Sequence, residues 1–197
     1  YLKEIKDAPM TMKLEVYKEL KSTYRYEKAF FIDMAAYLYT AGFQNEALNI
    51  IFSAVDEYSF DQRTMKAIAY TLESLKELER SIGVYEAVLA HDPNDIHAYR
   101  DLGLAYYQAG QFQKAIDILY KGISRSYFNQ ENASLVMKSM MLQELSGIIS
   151  IHRDQLDLTN IEVAMVKPIP VDLRITIDCN TRDLSNTVSI AEPGVSV

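Results

Sequence analysis

The sequence predicts a mainly α-helical chain: a right-handed α-α superhelix, that is, a solenoid of helical hairpins, ending in a short C-terminal β-hairpin segment. Three observations carry this expectation. A two-helix pattern returns in one phase at 34-residue steps across residues 28–129. Small residues return where helices would touch: Ala35, Ala69 and Gly103 on the first helices, Ala47, Ser81 and Ala115 on the second. Apolar and polar residues then alternate from Val171 to Asp178, the period of a half-buried strand.

Residues 1–27 read as a half-repeat. Thr11 to Arg25 sets Leu14, Tyr17, Leu20 and Tyr24 on one helical face, and Tyr17 and Leu20 fall where Ile51 and Ala54 fall in the next copy. This helix is therefore read as the second half of a hairpin whose first half lies upstream. The first full repeat, 28–61, carries Phe31, Met34, Ala35, Leu38, Gly42, Ala47, Ile51 and Ala54. The second, 62–95, carries Met65, Ile68, Ala69, Leu72, Ser81, Tyr85, Val88 and Pro93. The third, 96–129, carries Tyr99, Leu102, Gly103, Tyr106, Gly110, Ala115 and Leu119. A small residue lets two helix backbones approach, and a large apolar residue one turn away fills the space beside it. No hairpin can bury its stripe alone, so neighbours must stack.

Residues 130–151 read as a capping helix. Asn132 or Ser134 can cap it, and Leu135, Val136, Met140, Leu142, Leu145, Ile148 and Ile149 form its stripe. It would cover the open end of the last repeat. Residues 152–170 read as a linker, without a clear period and with Pro168 and Pro170 opposing helix. Residues 171–197 read as the start of a β domain. Val171, Leu173, Ile175 and Ile177 share one face of a first strand, and Val188 and Ile190 alternate in a second. Two strands are marginal in water, so they must dock on the helices or belong to a larger sheet.

The third copy, Tyr99-x2-Leu102-Gly103-x2-Tyr106 followed by Ala115-x3-Leu119, resembles the tetratricopeptide repeat. It departs in having Phe31, Met65 and Tyr99 in place of the usual tryptophan, and only the middle copy has the late proline, Pro93. A second resemblance rests on Arg100-Asp101-Leu102, Leu142-Gln143-Glu144-Leu145 and Pro168-Ile169-Pro170-Val171-Asp172-Leu173-Arg174, in that order. Together they resemble bacterial proteins that join degenerate helical repeats to a C-terminal β domain, often downstream of a vault/inter-α-trypsin-inhibitor type domain and a von Willebrand A domain. That resemblance implies that residues 1–197 are a middle stretch of a longer chain, cut just inside the β domain. It allows a periplasmic or secreted setting. The β domain of those proteins carries an acidic run that could bind a cation. Here Ser185 and Thr187 replace two of its aspartates, so Asp178, Asp183 and Glu192 are expected to be loop residues.

Composition narrows the function classes. With 49 % apolar residues the chain can build a substantial core, while a net charge of −7 argues against a nucleic-acid partner. No stretch has the length and apolarity of a membrane span. Cys179 is the only cysteine, which excludes a disulfide framework within these residues. His91, His97 and His152 lack metal-ligand spacing, and His91 and His152 read as solvated helix-end residues. No nucleophile elbow, metalloprotease pair, phosphate loop or dinucleotide fingerprint is present, so neither a catalytic site nor a cofactor or metal is expected. The turn from Lys76 to Arg80 reads as a solvated corner, and Asn132-Ala133-Ser134 as a helix start rather than a glycan acceptor.

The resemblance to tetratricopeptide repeats implies a concave groove lined by fixed first-helix positions. Carried onto this chain, these supply Tyr39, Arg63, Lys66, Tyr70, His97, Arg100, Leu104 and Tyr107 as candidate partner-binding residues. Arginines and exposed aromatics are common interface anchors, and the basic trio Arg63, Lys66 and Arg100 would suit an acidic peptide. The carboxylate clamp of chaperone-binding relatives needs asparagines where this chain has Ala36, Tyr70 and Leu104, which excludes that reading. The expected function is a non-catalytic interaction scaffold that binds a peptide or a neighbouring domain. A spacer between flanking domains is the alternative, with the strip filled by the chain's own side chains. On the scaffold reading, reversing Arg63, Lys66 and Arg100 to glutamate abolishes capture and leaves the helical melt nearly unchanged.

Overall fold

The 34-residue step reappears in where helices begin. In a computed structural model that describes residues 1–125 and 132–166, the first helices are α3 (Lys28–Thr40), α5 (Gln62–Ser74) and α7 (Ile96–Gln108). Their partners are α4 (Gln44–Glu57), α6 (Leu78–His91) and α8 (Phe112–Ser124). Each pair is closed by the same corner. Gly42, Lys76 and Gly110 adopt left-handed backbone, with φ of 97°, 66° and 74°. At each corner this residue's N–H bonds back three residues, to Tyr39, Glu73 or Tyr107. The following N–H reaches Leu38, Leu72 or Tyr106. These are Schellman closures, which satisfy carbonyls that a helix end leaves without partners. At the other end, Asp61 and Asp95 cap α5 and α7 by accepting from the N–H groups of Arg63 and His97.

The hairpins stack through one apolar spine. Ala35, Ala69, Ala47, Ser81 and Ala115 are fully buried, between large neighbours such as Met34, Leu38, Ile68, Leu72, Tyr85, Tyr99 and Leu119. Close approach is tightest at two glycines. A Cβ on Gly103 would lie 2.7 Å from Leu119 Cγ, and one on Gly122 would lie 2.8 Å from Tyr99 Cβ and 2.6 Å from Met141 Cε. Both contacts are too short for carbon atoms, so α7, α8 and the next helix pack where only glycine fits.

That next helix, α9 (Asn132–His152), packs on α8 and α7 and buries Met141, Leu145, Ile148 and Ile149. Three features differ from the sequence reading. Upstream of α2 (Lys13–Thr23) lies a short α1 (Leu2–Asp7) with a 3-10 turn between them. Buried Lys13 ties α1 down: its ammonium donates to the carbonyls of Ile5 (2.8 Å), Ala8 (3.0 Å) and Lys6 (3.3 Å) and to the Tyr37 hydroxyl (2.6 Å). A six-residue helix held by one lysine leaves no periodic signal. Second, residues expected as linker fold back. Gln113 and Asp157 exchange bonds of 3.1 and 2.8 Å, Ile161 is buried, and α10 (Val163–Val166) follows. Third, His152 is partly buried and stacked on Phe112 at 3.6 Å rather than solvated. The strands expected within 171–197, with Asp178, Asp183 and Glu192, lie outside the described residues.

Candidate functional site

The first helices place one side chain every three or four residues on the same face, and α5 and α7 therefore aim Lys66, Tyr70 and Glu73 and His97, Arg100, Asp101 and Leu104 into shared space. With Tyr85 of α6, Gln108 of α7 and Met137 of α9, they line a cleft of about 780 Å³. Its cations are engaged. Lys66 Nζ lies 2.6 Å from Asp95 and 3.6 Å from Asp101. Arg100 is held by Glu144 of α9, with Nε at 2.8 and 3.1 Å from the two carboxylate oxygens and Nη2 at 2.6 Å.

The tyrosines close the back wall. Tyr70 donates to Asp101 (3.1 Å) and Tyr85 to Glu73 (3.3 Å), and the two rings meet edge to face, 5.8 Å between centroids. Burial is the main cause that pushes the Tyr70 and Tyr85 hydroxyls well above the usual phenol range, reinforced by the neighbouring carboxylates. The carboxyls of Glu73 and Asp101 are also raised, chiefly by burial. For Asp101 the nearby Lys66 opposes that rise, and for Glu73 the Tyr85 hydroxyl does.

Five of the eight candidate residues, Lys66, Tyr70, His97, Arg100 and Leu104, line this cleft. The other three lie elsewhere. Tyr39 donates to Glu77 (2.5 Å), at the corner between α5 and α6. Tyr107 packs against Phe112 and His152, with centroids 5.7 and 6.0 Å away. Arg63 is exposed and makes no ion pair among the described residues. Asp101 lines the cleft but falls between the groove positions, and Glu144, which holds Arg100 from beside it, arrives from 44 residues away. The spacing of α7 could have pointed to Asp101. Nothing local points to Glu144.

A smaller groove of about 290 Å³ lies by α2, α3 and α4, lined by Leu14, Tyr17, Phe31 and Ile50 among others, with lysines and glutamates both at its rim. Among the described residues no group of histidine, cysteine, aspartate and glutamate could hold a metal ion, and no helix is long and apolar enough to cross a membrane.

Residues 71–126 match the family model of the tetratricopeptide repeat. Over that stretch the chain is similar to this helical repeat, a module whose stacked arrays serve as protein-interaction scaffolds. No curated protein matches the chain. Among solved structures, the chain is similar to a MamA RS-1 ArsTM double mutant, at 19 % identity over 78 % of this chain and 81 % of that one, with a TM-score of 0.47. It is also similar to MamA 41-end from Desulfovibrio magneticus RS-1, at 19 % identity over 78 % of this chain and 92 % of the other, with a TM-score of 0.40.

Proposed function

We propose that the chain is a non-catalytic interaction scaffold that receives a peptide, or an extended segment of a neighbouring domain, in the cleft between α5, α7 and α9. The observation that carries this reading is the cleft itself: an open space of about 780 Å³ with Tyr70, Leu104 and Met137 among polar groups, on the face where stacked first helices form a groove. Apolar contacts would supply affinity there, and the fixed polar groups would supply selectivity.

A random-sequence peptide array tests it, probed with the chain and with Leu104→Arg, whose long side chain fills the cleft from α7. The expected result is a captured subset of peptides that Leu104→Arg loses by about tenfold or more, the size of an interface hot spot, with an unchanged thermal melt. Capture indifferent to Leu104→Arg contradicts docking in the cleft.

The second reading is a structural spacer. It is favoured by the internal pairing of Lys66 with Asp95 and of Arg100 with Glu144, which fills part of the strip with the chain's own side chains. A spacer captures no peptide at all, so the same array separates the two.

A further inference from the structure

The cleft is not the basic strip that Arg63, Lys66 and Arg100 suggest as a linear pattern. Arg63 stands outside it. Lys66 and Arg100 are within reach of Asp95, Asp101 and Glu144. The lining itself carries Lys66 and Arg100 against Glu73 and Asp101, and Asp95 and Glu144, beyond it, already hold the two cations. An acidic segment entering here would have to displace bonds of 2.6 Å made by the chain itself.

Glu73 is the carboxylate left over. It is partly buried, meets the Tyr85 hydroxyl at 3.3 Å, and has no cation within ion-pair distance among the described residues. Its carboxyl is raised by burial and by the neighbouring Asp101 charge, the signature of an anion whose surroundings solvate it poorly. Beside it stands the Tyr70 ring, 51 % exposed although held by Asp101 and by the edge-to-face contact with Tyr85. An aromatic face next to an uncompensated carboxylate attracts a cation twice, through the ring quadrupole and through charge. Carboxylates alone would not make a site. Here they come with an aromatic wall and room for a side chain.

We propose that the cleft seats a cationic side chain, arginine or lysine, of the docked peptide, stacked on Tyr70 and paired with Glu73. This rests on the docking reading above and names its partner chemistry. Charge complementarity selects the occupant: a basic peptide satisfies Glu73 and leaves the Lys66 and Arg100 pairs intact.

The same array, scored for composition, tests it. Peptides captured by the chain and lost by Leu104→Arg should be enriched in arginine and lysine. Replacing that residue by glutamine in the strongest of them should weaken binding about tenfold, the scale of one hot-spot contact. Glu73→Gln, nearly isosteric, should do the same from the protein side, as should Tyr70→Leu, each with the melt retained. Enrichment in aspartate or glutamate, or indifference to Glu73→Gln in a folded variant, overturns the cationic seat and leaves docking standing. An array that captures nothing overturns both.

Discussion

Lys76 occupies a backbone conformation that the equivalent corners fill with glycine. Its φ is 66°, against 97° at Gly42 and 74° at Gly110. Left-handed backbone costs a residue with a Cβ about 1–2 kcal/mol, while glycine in its place loses about 0.4–1 kcal/mol through the freedom of the unfolded chain. Lys76→Gly should therefore stabilise the protein by roughly 0.5 kcal/mol, read as a raised urea midpoint at unchanged slope. Gly110→Ala, the reverse experiment one repeat later, should lower the midpoint. A loss of stability on Lys76→Gly would mean that the lysine contributes something beyond the corner geometry. This position was legible in the sequence only as a charged turn. The 34-residue frame aligns it with Gly42 and Gly110, yet a lysine there hides the backbone requirement that glycine advertises.

Helices are joined across repeats by a few polar contacts, and two of them make predictions. Asp61 caps α5, accepts from the Thr64 hydroxyl at 2.7 Å and bonds Lys28 of α3. The Lys28 bond, followed by the Thr64 bond, holds its carboxyl down at about 2. A depressed acid binds fewer protons folded than unfolded. Its contribution is thus present above the ordinary aspartate range and lost as pH falls from near 4 towards 2. Asp61→Asn should flatten the decline of stability over that window, measured by denaturation at several pH values. The contribution is modest, since Lys28 and Asp61 are both partly exposed. The second contact is Arg100 with Glu144, whose side chains are 14 % and 18 % exposed. Arg100→Ala leaves Glu144 without its bidentate partner and should cost about 1–3 kcal/mol. The swap Arg100→Glu with Glu144→Arg should recover part of it. Charge reversal at Lys66 and Arg100 accordingly disturbs the fold as well as any partner. The triple reversal, read from the sequence as leaving the melt nearly unchanged, should lower it, because carboxylates hold these two residues. Only Arg63, exposed on α5, remains a neutral probe of an acidic partner.

At the scale of the molecule, what the sequence discloses is what repeats. Ala35, Ala69 and Gly103 lie in the spine because a stacked array needs the same small residue at the same contact in every hairpin, and that periodicity survives in the chain. Contacts made once leave no such trace. Lys13 plugging the end of α1, residues 156–161 folding onto α8, and Glu144 reaching Arg100 each join particular residues across distance or within short elements. The repeat carries no trace of which carboxylates close on Lys66 and Arg100, and so none of the cleft's charge. The claim on which everything else depends is that α5, α7 and α9 together form the docking surface. Amide hydrogen exchange of the chain with and without its best array peptide tests this directly. The account predicts added protection along 66–73, 97–104 and 137–144 and little change in α4 or on the outer face of α6. Protection concentrated on α4, α6 and α8 instead would contradict it.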